Sequence, residues 1–154
     1  MGKCIAVIDT MFSRVDMGSV AYETLREELP SYKIERFTVP GAKDLPGAAR
    51  RAIDKGCEGV ITLGWIGKRE ADRITYLVSS MGLVMLSVLT GKIIIDVTVH
   101  EDEAENLEDL KKIALDRAKD HALNLSYMLK KPEVLTKKAG KGIRQGYPNA
   151  GPIT

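Results

Sequence analysis

Short apolar runs alternate along this chain with longer stretches whose apolar residues recur every three to four positions. Lys3 to Asp9 is a continuous apolar run between polar residues, the pattern of a strand covered on both faces in a parallel sheet. Ser13 followed by Asp16 resembles a capping box, after which Met17, Val20, Ala21, Thr24, Leu25 and Leu29 keep helical spacing until Pro30. Lys33 to Val39 alternates as a second strand and breaks at Pro40-Gly41. Asp44 is placed as an N-cap with Pro46 in the first turn, Leu45, Ala48, Ala49, Ala52 and Ile53 form a stripe, and Gly56 supplies the stop. Gly59 to Leu63 reads as a third strand, ending at Gly64-Trp65-Ile66-Gly67. Leu83 to Leu89 has the composition of a strand, but Ile74, Leu77, Met81, Val84 or Met85, and Val88 follow one helical face up to Thr90-Gly91. The spacing therefore predicts a helix from about Lys68 to Thr90. Lys92 to Val99 is the fourth strand. From Asp102 to about Leu129, Leu107, Leu110, Ala114, Ala118, His121, Leu125 and Met128 mark a long amphipathic helix closed by Pro132.

Strands alternating with helices predict an α/β fold, a three-layer αβα sandwich on a four-stranded parallel sheet with right-handed crossovers, flavodoxin-like in class. At 154 residues one domain is expected: residues 1–135 as the catalytic α/β unit and 136–154 as a basic, Gly- and Pro-containing arm of the same domain, docked or mobile. The formal charge of +2 is too balanced to predict a nucleic-acid or membrane partner. No segment is expected to reach the roughly 20 uncharged apolar residues of a membrane-crossing helix. The acidic residue at Asp9 is too early for a signal peptide, and Gly2 lacks the downstream hydroxyl residue expected for myristoylation, so the protein is expected in the cytoplasm. Cys4 and Cys57 lack metal-ligand spacing and a secreted setting, and buried free thiols are expected.

Open parallel sheets bind ligands beyond the carboxyl ends of their strands. Four loops converge there: Thr10-Met11-Phe12-Ser13-Arg14, Val39-Pro40-Gly41-Ala42-Lys43-Asp44, Gly64-Trp65-Ile66-Gly67-Lys68 and His100-Glu101-Asp102-Glu103. Phe12 and Trp65 offer flat rings for stacking or plugs for the sheet end. The Pro-Gly loop presents free backbone groups leading into a helix N-terminus, where hydroxyls or anions are readily held. The Gly-Trp-Ile-Gly-Lys loop lacks the spacing of a phosphate loop or dinucleotide fingerprint. His100 beside Glu101 and Asp102 makes proton transfer and divalent-cation contact chemically available, while an acidic first turn complementing a helix dipole explains the carboxylates without either. His121, on the apolar stripe, is expected to be a hydrogen-bonded core or interface histidine outside the site.

Taken in order, these residues resemble the archaeal type of riboflavin synthase, a relative of lumazine synthase. The resemblance rests on Asp9-Thr10 with Phe12-Ser13-Arg14-Val15-Asp16-Met17, on Thr38-Val39-Pro40-Gly41 with Lys43-Asp44-Leu45-Pro46, and on Leu63-Gly64 with Gly67-Lys68. It continues through Val99-His100-Glu101-Asp102-Glu103-Ala104 and Leu135-Thr136 to Ala139-Gly140-Lys141-Gly142, Arg144-Gln145-Gly146 and Ala150-Gly151-Pro152. The chain lacks the longer Gly-rich loop and following His that serve the phosphate-bearing substrate of lumazine synthase, having only Gly64 to Glu70 there. The resemblance implies dismutation of two 6,7-dimethyl-8-ribityllumazine molecules to riboflavin and a ribitylaminopyrimidinedione. It further implies a homopentamer with sites between subunits and help from a divalent cation, Mg2+ or Mn2+, without a redox cofactor. On that basis Phe12 and Trp65 border the rings. Thr10, Met11 and Gly64 line the site, Val39 to Ala42 give backbone contacts, Lys43 or Asp44 binds ribityl hydroxyls, and His100 with Glu101 or Asp102 moves protons. Two other readings share the fold: lumazine synthase itself and a non-catalytic flavin-binding module. A receiver-like signalling domain needs a second acid beside Asp9, which is missing.

Overall fold

The computed structural model describes residues 3–154; Met1 and Gly2, on which the myristoylation argument fell, lie outside the described residues. The chain runs β1 (Cys4–Thr10), α1 (Met17–Glu28), β2 (Lys33–Val39), α2 (Leu45–Asp54), β3 (Cys57–Ile66), α3 (Glu70–Thr90), β4 (Ile93–His100), α4 (Leu107–Lys130) and α5 (Pro132–Lys138). Single 3-10 turns, Ala42–Asp44 and Glu101–Glu103, follow β2 and β4. The four strands are parallel, in the order β2-β1-β3-β4.

Strand alternation assigns the two faces. Ile5, Val7, Ile61, Leu63, Trp65, Val97 and Val99 form one core with Met17, Ala21 and Leu25 of α1 and Ala114, Ala118, Ala122 and Leu125 of α4. Ala6, Ile8 and Val60 form the other with Leu45, Ala48, Ala49 and Ala52 of α2 and Leu83 and Leu86 of α3. Because both faces are covered, β1 and β3 read in sequence as unbroken apolar runs. The chain leaves β1 toward β2 on one side and reaches β3 on the other, so the topological switch point lies between the carboxyl ends of β1 and β3.

Several local expectations are corrected. The N-cap of α1 is Asp16, whose Oδ1 accepts from the Ser19 N–H at 3.1 Å; Ser13 instead pairs with the Thr10 hydroxyl at 3.0 Å. Asp44 gives α2 no side-chain cap, because its carboxylate accepts the Gly41 N–H at 3.1 Å and closes the turn before it. Strand β3 extends to Ile66, so Gly64 and Trp65 are strand residues and buried. The division at residue 136 falls inside α5, and the arm proper follows Lys138.

Helix α3 departs furthest from its pattern. Its core side is Ser79, Leu83 and Leu86, whereas Ile74, Leu77, Met81, Val84, Met85 and Val88, the stripe that defines it in sequence, are all exposed. By length and composition this helix is apolar enough to cross a membrane, contrary to expectation. Its position as the crossover between adjacent parallel strands β3 and β4, packed on α2, fastens it to the sheet. Cys4 and Cys57 are not free thiols but a disulfide: β1 and β3 place them opposite each other in register, with Cα atoms 4.3 Å apart, a proximity that a sequence separation of 53 hides.

Candidate active site

The strand termini Thr10, Val39, Ile66 and His100 bring the predicted loops to one edge of the sheet. Strands β1 and β2 are joined past their ends by the Met11 N–H donating to the Val39 carbonyl at 2.8 Å. That bond holds Met11 and Phe12 out of the fold, 75% and 52% exposed. Gly67 faces them across the switch point, buried: a Cβ there would lie 3.8 Å from the Phe12 ring and 2.6 Å from an Asp72 oxygen, so only glycine fits without moving Asp72. The turn after β2 is anchored on α3, where the Ser79 hydroxyl donates to the Ala42 carbonyl at 2.8 Å. Val39 and Ala42 are buried, while Pro40, Lys43 and Asp44 are exposed along the rim.

His100 ends β4, half-buried, with its ring edge-on to Tyr76 of α3 at 4.7 Å between centroids. Its backbone N–H donates to Glu103 Oε2 at 2.8 Å, closing the acidic turn. Each carboxylate of that turn meets a different donor set. Glu101 accepts from Trp65 Nε1 at 2.9 Å and from Arg14 at 3.3 Å, Asp102 from Arg73 at 2.9 Å, and Glu103 from Arg117 at 2.7 and 2.8 Å. Burial raises the Glu103 carboxyl, but the bonds from Arg117 and the His100 N–H outweigh it, and the net effect is a lowered pKa. Three divergent, individually neutralised carboxylates do not make a ligand set for a divalent cation. Among the described residues the only close metal-ligating group is Cys4, Glu35 and Cys57, at the opposite end of the sheet and with both sulfurs in the disulfide.

The structure thus brings Thr10, Met11, Phe12, the Val39–Asp44 loop and the His100–Asp102 turn to the same edge. It separates Trp65 from them: the ring is in the core on the α1/α4 face, 2% exposed, and only its indole N–H reaches the turn. Gly64 is buried beneath the edge. Sequence reasoning missed Arg14, Arg73 and Arg117 as partners of the turn, and Tyr76 as the wall beside His100. Arg117 had a visible signal, a charge on the same helical face as Ala114, Ala118 and His121. Beside Arg73 a shallow depression of about 590 Å³ runs from Lys68 and Glu70 to Ile74 and Leu77. The edge is therefore open toward the exposed stripe of α3.

Comparison with known proteins matches residues 2–133 to the family model of 6,7-dimethyl-8-ribityllumazine synthase. A riboflavin synthase of Aeropyrum pernix is 66% identical over 154 residues, 99% of each chain. One of Archaeoglobus fulgidus is 49% identical over 150 residues, 97% of each chain. A 6,7-dimethyl-8-ribityllumazine synthase of Clavibacter sepedonicus is 34% identical over 73 residues, 46% of each chain. The strand-end residues that carry the resemblance sit where open parallel sheets hold their ligands, and on these matches the chain belongs to the 6,7-dimethyl-8-ribityllumazine synthase family.

Proposed function

We propose that this protein is a riboflavin synthase, dismutating two 6,7-dimethyl-8-ribityllumazine molecules into riboflavin and 5-amino-6-ribitylamino-2,4(1H,3H)-pyrimidinedione. The observation that carries the reading is near-full-length identity to riboflavin synthases, 66% and 49%, against a 73-residue match to a lumazine synthase. The short Gly64–Glu70 segment supports it, since β3 passes almost directly into α3 and leaves no long loop for a phosphate.

In this reading the reaction needs two rings held face to face, ribityl hydroxyls recognised, and a proton moved at a methyl group; both products derive from the same substrate, so no external oxidant enters. Phe12, exposed at the switch point, stacks on a ring. The backbone of Val39 to Ala42 and the side chains of Lys43 and Asp44 line the rim for hydroxyls, with Thr10 and Met11 beside them. His100 shuttles the proton, since an imidazole can both give and take one and this one stands at the same edge. Glu101 and Asp102 orient their arginines around it. Holding two substrates together turns a bimolecular encounter into a positioned one, an effect that reaches about 7 to 11 kcal/mol in favourable cases.

The site is completed by a second copy of the chain, in a homo-oligomer that the resemblance makes a pentamer. The exposed stripe of α3, with Leu77 at 56%, Val84 at 58% and Val88 at 76%, supports this: a contiguous apolar face beside an open site is the mark of a docking surface. The protein works in the cytoplasm. Lumazine synthesis is the second reading, favoured by the description of the matching family model. Supplying the purified protein with either the lumazine or the pyrimidinedione and a phosphorylated partner separates the two. Replacing His100 by Asn keeps polarity and approximate size while removing the imidazole. The expected result is a fall in kcat of about 10² or more with substrate binding little changed; near-parental kcat removes His100 from the chemistry.

A further inference from the structure

We propose that Arg117 and Glu103 are positioning residues for His100, and that Gly146 and Tyr147 of the C-terminal arm complete their clamp. The inference rests on the reading of His100 as the proton-transfer group. Arg117 lies in the middle of α4, 3% exposed, at a position whose helical neighbours Ala114, Ala118 and His121 are all buried. A buried guanidinium is costly unless its donors are met, and here four of its five N–H groups are met, by three separate segments. Nη1 donates to the Thr98 carbonyl at 2.8 Å and to Glu103 Oε2 at 2.7 Å, Nη2 donates to Glu103 Oε1 at 2.8 Å, and Nε donates to the Gly146 carbonyl at 3.0 Å.

Two of those acceptors bracket His100. Thr98 precedes it on β4, Glu103 follows it, and the Glu103 oxygen that takes Arg117 Nη1 also takes the His100 N–H at 2.8 Å. One guanidinium thus holds the backbone of His100 from both sides, through a strand carbonyl and through the side chain that closes the turn. The same contact caps the 3-10 turn after β4, so the side chain that closes the turn is the one that Arg117 grips.

The arm holds the guanidinium from outside. The Tyr147 ring stacks on it, 3.9 Å from the guanidinium carbon to the ring centroid. Gly146 lies directly over the same residues with φ +72°, and a Cβ there would stand 2.6 Å from both Arg117 Cγ and His121 Cε1. Asn124 fastens the preceding residue by donating to Gln145 at 2.9 Å. Docking of the arm and placement of His100 are therefore one arrangement.

The test measures riboflavin formation from dimethylribityllumazine by the full-length chain and by E103Q, E103D, Y147L, H100N and the H100N/E103Q double variant. An amide at 103 keeps one oxygen for the His100 N–H and Arg117 Nη1 but turns an NH2 toward Arg117 Nη2, so the turn must shift, and displacement of a reacting group by about an ångström costs on the order of 10²-fold. E103Q is expected to lower kcat about 10- to 100-fold with KM within about twofold, and E103D to recover part of the loss. In the H100N background the same change is expected to add less than about twofold, because its route to the chemistry is already gone. Y147L, which leaves the ion pair intact, is expected to lower kcat about threefold to tenfold, and it carries the test if E103Q fails to fold. Parental kcat in both E103Q and Y147L, or an undiminished effect of E103Q in the H100N background, overturns the clamp while leaving the role of His100 standing. Parental kcat in H100N removes the shuttle and the clamp with it.

Discussion

Lowering the pH should draw stability out of this fold through His121. Its ring is buried under the arm, 4% exposed, and its Nδ1–H donates to the Arg117 carbonyl at 2.8 Å. Burial, aided by the charge of Arg117 and opposed by that hydrogen bond, pushes its pKa from 6.5 down to about 4. The unfolded chain takes up a proton as the pH falls through about 6.5, whereas the native ring stays neutral until about 4. Above 6.5 both states are neutral and the full stability is present; below it, stability is lost progressively until the native ring also protonates near 4. At about 1.4 kcal/mol per pH unit, the window is worth about 3 kcal/mol. Three carboxyls titrate with their own signs. Glu103 and Asp16, both lowered in the native state, cost stability as the pH falls further, while Asp96, raised by burial, binds its proton first in the native state and adds stability. The assay is urea unfolding at fixed protein concentration from pH 7.5 to 4.5, for the parent and for His121→Gln, which keeps a polar side chain but does not titrate. The parent should lose stability faster than the variant below pH 6.5, the two curves diverging by about 2 kcal/mol by pH 5. Parallel curves would refute the argument that this ring is held neutral by burial.

Removing the disulfide with Cys57→Ser should destabilise the fold by about 4 kcal/mol, the chain-entropy value for a loop closed across 53 positions, and intact-mass measurement after alkylation without reductant should show both parental sulfurs unmodified. Alkylation of both cysteines in the folded parent contradicts the bridge. Placing glutamates at Leu77 and Val84, one helical face of α3, should reduce a parental assembly to a particle near 16.9 kDa in light scattering while leaving the helical spectrum intact; an unchanged mass clears this face of any role in assembly.

The element order and the layer class were legible because each strand and helix carries its own period. What was not legible depended on pairing between distant residues. Nothing local marks Cys4 and Cys57 as neighbours, since only the β1–β3 register makes them so. The stripe on α3 is helical, as its spacing says, but periodicity reports a face and not its occupant; the smaller set of Ser79, Leu83 and Leu86 is enough to seat the helix on its sheet. Gly64 and Gly67 give Trp65 the look of a loop residue in sequence, yet β3 runs on through Gly64, and the indole is carried into the core. The meeting of these loops at one sheet edge is legible because the order of strands and helices fixes which strand ends lie together. The arginines that neutralise the acidic turn come from the first loop, α3 and α4, and a local acidic cluster gives no sign of them.

The most direct test of the central claim is a product balance. Purified protein is incubated with 6,7-dimethyl-8-ribityllumazine in magnesium-containing buffer without nicotinamide, flavin or phosphate, and riboflavin is measured by fluorescence against substrate consumed. One riboflavin, and one pyrimidinedione, are expected for every two lumazines used. No riboflavin, an equal yield of riboflavin per lumazine, or turnover that starts only when a redox cofactor is added contradicts it.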